Sequence, residues 1–412
     1  MADPERIADR LQALWSVAKG PRGGADRPAY SEAEARAIEL VAGWAADAGL
    51  EPGIDDYGNL WALPGDWPGP ILTAGSHVDT VPDGGRYDGA LGTVLGLELA
   101  LDLAKRAEAP VRAGVLVCAA EEAPRFGAGT LGSRLLIGAL HESALDDLQD
   151  ARGVTAAQAR AGYLDALAPL PRVAPPLSRL RGHAEVHVAQ RRSLRTLGIV
   201  TRVASPRRLR VRITGEAGHS GEVSMLERRD AMAAAAELVL SVEAAASAEP
   251  AETVATVGTL SVSPGSVSVI PDDVDLMVDM RGIAADSLTR LEAAIRAAVG
   301  DITGRRGVTA EVTLTRAGEP TELDPGLVDA ALAAAARLGI PAAQTWSGAG
   351  HDAQHLTAIA PALLVFVPLH GGESHTPQEG ANMDEILMAA RLLTAVMGDT
   401  GRASARPVSH ET

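Results

Sequence analysis

The chain has 412 residues, with 53 acidic side chains against 37 Lys and Arg and a formal net charge of -16. That field repels nucleic acid and anionic membrane surfaces, so neither is an expected partner. A 46% hydrophobic, 22% charged composition is ordinary for globular proteins, and the length points to two domains. Cys118 is the single cysteine, which excludes an intrachain disulfide and any multi-cysteine metal site. A metal would therefore be held by His and carboxylate. The start, Met1-Ala-Asp-Pro-Glu-Arg-Ile, has no basic stretch leading into an apolar core, and no apolar run approaches membrane-spanning length. A cytoplasmic protein is expected.

Two helices are predicted first. The second begins at Ser31-Glu-Ala-Glu34, which reads as a capping box, and keeps a helical period through Ile38, Val41, Ala42 and Ala45. After Gly49 the pattern changes to short strands, 59–63 and 71–74, then a helix over 89–105 and a continuously apolar strand over 111–120. This alternation predicts a largely parallel sheet covered by helices. The middle reads β-α-β-β-α-β: strand 209–213, helix 229–246, strands 254–262 and 274–280, helix 286–299 and strand 308–314. That order is the ferredoxin-like split unit. Helix-strand alternation resumes with 327–338, 362–367 and 384–397, and the polar tail from Gly401 is expected to be disordered. The predicted architecture is an α/β fold: a discontinuous domain, 1–190 and 316–412, with a mixed sheet, and an inserted ferredoxin-like α+β domain, 191–315.

Ligands bind beyond the carboxyl ends of strands in such sheets, and chemistry-bearing residues cluster there in the sequence. His77 and Asp79 follow the strand ending at Ala74, and Glu121 and Glu122 follow Ala120. His187 ends the strand-like stretch 184–188, His375 lies beyond Val367, and Asp88 precedes a helix. Three imidazoles, a terminal carboxylate and a bridging carboxylate suit a pair of divalent ions in an N/O environment. Taken singly, each residue also has a plain reading: a loop histidine, a solvated acidic pair, an aspartate in a turn.

Read in order, Gly-Ser-His-Val-Asp79, Tyr-Asp-Gly89, Glu-Glu122 with Arg125-Phe126, Gly132-Ser-Arg134, Glu185-Val-His187, Gly218-His219-Ser-Gly221, Asp279-Met-Arg281, Gly348-Ala-Gly-His-Asp352 and Ser374-His375-Thr-Pro-Gln-Glu379 span almost the whole chain. Together they resemble the hydantoinase/carbamoylase branch of the M20 metallopeptidase-like amidohydrolases, the group of allantoate amidohydrolase, N-carbamoyl-L-amino acid hydrolase and β-ureidopropionase. The resemblance implies two divalent ions (Zn, Mn, Co or Ni), with His77 and Glu122 terminal ligands at different ions, Asp88 the bridge, and His187 and His375 the remaining ligands. It implies that Asp79 orients His77 and that Glu121 is the general base. It further implies a homodimer through the inserted domain, which also acts as a lid, with His219 reaching the partner's active site to hold the reacting carbonyl. His219 also reads as part of a tight connection, and Arg281 as a surface charge; the resemblance makes Arg281 the fork for a substrate carboxylate. Gln190, His351 and Gly350 are further candidates for substrate contact.

This sequence departs from the branch beside the ligand set. Ala189 stands where a glutamate is usual, Arg191-Arg192 where Gly-Pro is usual, and Ser268 where an asparagine is usual. The expected activity is hydrolysis of a linear C–N bond in a small acid. The first expectation is an N-carbamoyl amino acid or related ureido acid, with ammonia and carbon dioxide released. The alternatives are an N-acyl amino acid amidohydrolase or dipeptidase using the same centre, and, from another class, a catalytically silent binding protein.

Overall fold

The computed structural model describes residues 2–105 and 111–403. The chain forms two compact units, one of residues 1–201, 322–345 and 350–412, the other of 202–321 and 346–349. The first exchange lies later than residue 190 for a physical reason. The strand Leu197–Val203 begins by pairing antiparallel with Ala362–Val367, with Ile199 opposite Val365, so the chain stays in the first sheet beyond 190.

Among the described residues the larger sheet has nine strands. Its order is Glu51–Ile54, Leu60–Leu63, Arg112–Val117, Ile71–Ala74, Leu180–Val188, Ala362–Val367, Leu197–Val203 and Thr321–Glu322, with Ala342–Ser347 also pairing with Leu197–Val203. The four central strands run parallel, while Leu60–Leu63 pairs antiparallel with both Glu51–Ile54 and Arg112–Val117, and Leu197–Val203 antiparallel with Ala362–Val367, a mixed sheet. Ala362–Val367 is buried throughout, as a strand covered on both faces must be. The helix Ala90–Ala104 is apolar almost all round and packs into the same core, with Leu72, Val115, Val186 and Val365.

The second unit is built around strands in the order Thr309–Ala317, Arg207–Thr214, Asp273–Arg281, Val254–Ser263, all antiparallel, with helices Ala231–Ser247 and Ala285–Arg306. This is the β-α-β-β-α-β arrangement of a ferredoxin-like sheet. Asp273–Arg281 alternates strictly: Val274, Leu276, Val278 and Met280 face Leu238, Leu291 and Ile295 in the core. On the other face Arg208, Arg210 and Arg212 pair with Asp279, Asp275 and Asp273 at 2.6, 2.6 and 2.8 Å. These exposed pairs select register more than they stabilise.

Several elements extend past their sequence limits. The helix expected to stop at Val299 continues through Gly300 to Arg306, because Ile302 reaches the core, and ends where Gly307 turns left-handed at φ 65°. The last helix runs Met383–Ala403, and the remainder of the tail expected to be disordered lies outside the described residues. The capping box is only half made. Ser31 accepts from the Glu34 amide at 3.1 Å, but the Glu34 carboxylate turns to the amides of Tyr30 and Ala120.

Candidate metal centre

Five segments bring the acidic and imidazole side chains to the carboxyl edge of the parallel strands. After Ala74 the chain passes Gly75, where a Cβ would lie 1.8 Å from the Leu116 carbonyl, so only glycine lets the His77 loop hug the neighbouring strand. Gly89 has φ 64°, and a Cβ there would meet the His77 ring at 2.5 Å; its absence lets Asp88 approach that ring at the helix start. Ala120, at φ 54°, turns the chain so that Glu121 and Glu122 follow, and the Glu34 carboxylate holds its amide at 2.9 Å. His187 is the last residue but one of Leu180–Val188. His375 itself sits in the left-handed region at φ 59°, an uncommon conformation held in place by its neighbours.

Asp88 is the centre of the group. Its Oδ1 is 3.0 Å from His187 Nε2 and 3.6 Å from His77 Nε2, while its Oδ2 is 3.1 Å from His375 Nε2. Two sets of potential ligands share it: His77, Asp88 and His187, and Asp88, Glu122 and His375, each with ligand atoms within 4.8 Å of one another. Glu121 Oε2 lies 3.7 Å from His77 Nε2, with the side chain only 11% exposed. Gln190 Nε2 stands 3.1 Å from His375 Nε2 and 3.4 Å from Asp88 Oδ2.

The surroundings decide what these atoms are ready to bind. His77 Nδ1 points at the Asp79 carbonyl at 3.1 Å and His187 Nδ1 at the Val188 carbonyl at 3.2 Å. A carbonyl only accepts, so each Nδ1 carries a proton, and without a second proton each ring turns an Nε2 lone pair inward. Those two nitrogens face each other at 3.3 Å across Asp88. Protonating both would instead oppose two cations. A divalent ion removes either conflict, and it also gives a partner to Glu122 Oε1, which is buried without a hydrogen-bond donor among the described residues. The donor set thus fits a metal.

Titration behaviour has the same origin. Burial pushes the Glu122 carboxyl up to about 7, reinforced by Asp88 and opposed by His375. Burial also drives Glu121 well above the ordinary carboxylate range, against the pull of His77 and with Glu122 adding to the rise. At His375 burial works downward, but the hydrogen bond and charge of Asp88 outweigh it and raise the imidazole to about 9. His351, buried beside His187 with ring centroids 4.5 Å apart, is held well below its usual value.

Asp79 does more than face His77, whose Nδ1 is 3.3 Å from its Oδ1. It accepts from the amides of Glu121 and Glu122 at 3.1 and 2.9 Å, tying the His77 loop to the acidic pair. Glu379, which had no assigned part in the sequence reading, accepts from the Tyr87 and Asp88 amides at 2.6 and 3.0 Å and from Ser374 Oγ at 3.0 Å. Its only sequence signal was its place four residues after His375. An open cavity of about 880 Å³ reaches Glu122 between Tyr30, Tyr163, Pro124 and Arg125, which composition alone did not reveal.

The described features have counterparts in known proteins. Residues 73–399 match the model of peptidase family M20/M25/M40. The chain belongs to that family. Among M20 relatives, the N-carbamoyl-L-amino acid amidohydrolase of Geobacillus stearothermophilus is 34% identical over 95% of this chain and 97% of its own length. The allantoate amidohydrolase of Bacillus subtilis is 30% identical over 95% and 96%. A crystal structure of an amidase of the hydantoinase/carbamoylase family from Burkholderia multivorans superposes with a TM-score of 0.86 at 30% identity, covering 98% of this chain and 99% of that one. M20 enzymes are metal-dependent, in keeping with the donor set around Asp88.

The remaining sequence candidates divide between the two units. Gly350 and His351 lie in the first unit. His219, Ser268 and Arg281 lie in the second. There His219 is exposed and pairs with Val269, its Nδ1 accepting from the Gly221 amide at 3.1 Å, and the Ser268 carbonyl accepts from Ser220 at 3.0 Å. Arg281 donates to Asp279 at 2.8 Å and to the Gly348 carbonyl at 3.1 Å. Among the described residues no helix is long and apolar enough to cross a membrane.

Proposed function

We propose that this M20 chain binds two divalent ions and removes the carbamoyl group of an N-carbamoyl amino acid or related ureido acid. One water is consumed, and free amine, ammonia and carbon dioxide leave. The chain is a hydrolase of linear, non-peptide C–N bonds, the activity its full-length relatives carry in their names. The observation that carries the two-ion reading is Asp88, one carboxylate shared by two ligand sets.

His77, Asp88 and His187 would hold one ion, and Asp88, Glu122 and His375 the other. Bound divalent ions acidify water and polarise a carbonyl oxygen, the two needs of amide hydrolysis. Glu121 Oε2 takes the proton from the attacking water and passes it to the leaving nitrogen, and two cations beside it would keep the carboxylate ionised against its burial. Asp79 fixes the His77 ring and the Glu121 amide in one framework. The second unit serves as lid and dimer contact, with His219 supplying a donor to the carbonyl of the partner's substrate. Arg281, alongside Asp279, receives the substrate carboxylate.

Replacing that fork by a point charge tests the last role. Arg281→Lys is expected to raise KM about tenfold with kcat nearly unchanged, because a charge-assisted pair in the ground state and transition state alike is lost. An unchanged KM removes Arg281 from the site.

The activity itself is tested with metal-loaded enzyme against N-carbamoyl, N-acetyl and dipeptide acids, recording ammonia and free amine together. Ammonia with amine from the carbamoyl compounds alone is the expected result. Amine without ammonia, from acyl compounds or dipeptides, would transfer the assignment to ordinary amide hydrolysis, the reading favoured by the altered stretch at Ala189, Arg191 and Arg192. No turnover and no retained metal would leave a binding protein.

A further inference from the structure

Glu185 lies fully buried on Leu180–Val188, two residues before His187 and therefore on the same face of the strand. One carboxylate oxygen accepts from Ser76 Oγ at 2.7 Å, the other from the Ala353 amide at 2.8 Å. Ser76 adjoins His77, and Ala353 is the second residue of the short helix Asp352–Leu356 that follows His351. Glu185, His187 and His351 also offer ligand atoms within 4.8 Å of one another. Both Glu185 oxygens, however, already accept hydrogen bonds, so the carboxylate reads as a brace and not as a third ligand set.

We infer that Glu185 is a positioning residue for the metal centre: it ties the His77 loop and the His351–Ala353 turn to the strand that carries His187. This rests on the two-ion reading above. His77 and His187 come from segments more than a hundred residues apart, yet their Nε2 atoms stand 3.3 Å from each other. On one side backbone pairing carries the loop on, with His77 bridged to Cys118, but on the Leu180–Val188 side the ladder ends at Ala74 and Ala184 and the backbone goes no further than the Gly75 amide, which donates to the Ala184 carbonyl at 3.2 Å. The Ser76–Glu185 bond is the next link toward the ligands on that side. Breaking it loosens the His77 loop from the strand that carries His187 without removing either ligand.

The test is titration of the metal-free, full-length protein with Co(II), followed by calorimetry and by the visible spectrum, which reports ligand geometry independently of turnover. Ser76→Ala and Glu185→Ala are expected to weaken binding about 10- to 100-fold, the usual effect of losing an outer partner of a ligand, and to alter the spectrum. Glu185→Gln is expected to restore both. Its amide oxygen can accept from Ala353 while its nitrogen donates to Ser76 Oγ, whose hydroxyl rotates. In turnover, kcat should fall for the two alanine variants with KM little changed. Circular dichroism establishes which variants fold, and Ser76→Ala decides the matter if Glu185→Ala does not. Folded alanine variants with wild-type affinity and spectrum overturn the brace, as does a Glu185→Gln loss equal to that of Glu185→Ala. Failure of the wild type to bind Co(II) overturns the two-ion reading instead, so the two failures are separable.

Discussion

Glu121→Gln is expected to lower kcat by about 10²- to 10⁴-fold, the range supplied by a positioned general base, while the protein keeps its full metal content. The amide has the shape of the carboxylate but cannot accept a proton at neutral pH. Glu121 belongs to neither ligand set around Asp88, so its neutralisation leaves every proposed ligand in place. The Asp79 bond to the Glu121 amide is made by backbone and survives the change. Metal analysis of the purified variant alongside steady-state rates checks both halves. Activity within a few-fold of wild type would remove Glu121 as the base, and a loss of metal would make it a ligand.

Asp88→Asn is expected to abolish tight binding at both ions at once. Asp88 is the one residue common to the two sets, and it also orders the site through Ser374 Oγ at 2.9 Å. An amide supplies one neutral oxygen where the carboxylate offers two charged ones. The effect should therefore exceed the roughly 10- to 100-fold that loss of an outer partner brings. His187→Ala and His375→Ala each touch a single set and should leave one ion bound. Chelator competition on the four proteins reads the difference. An Asp88→Asn protein that still held two equivalents would show that the sets are independent, and the bridged arrangement would be abandoned.

Much of this was legible in the chain before any coordinates. Most of the acid-rich and His-bearing stretches stand just past apolar strands, whose ends converge in a parallel sheet, and Asp88 stands before a helix, so His77, Asp88, Glu121, Glu122, His187 and His375 could be grouped from sequence position together with the family resemblance. The β-α-β-β-α-β order of the second unit was equally readable, because its strands alternate with period two and its helices are long. Short strands with weak patterns, Glu51–Ile54 and Ala342–Ser347, were not, since four to six residues containing Pro, Gly or exposed polar groups carry little periodic signal.

What the sequence by itself determined is the kind of donor available: carboxylate and imidazole groups with a single cysteine in the whole chain, an acidic pair among them, and a sheet edge to carry them. Tertiary structure decided which atoms meet. Glu34 was read as half of a local capping box, yet its carboxylate reaches Ala120, 86 residues on. Asp79 spans 43 residues to the Glu122 amide, and Glu379 reaches Asp88 across 291. Such contacts depend on strand order and register, which bring distant loops to one edge. A buried carboxylate then accepts whatever amide that register delivers, because leaving either group unpaired away from water is costly.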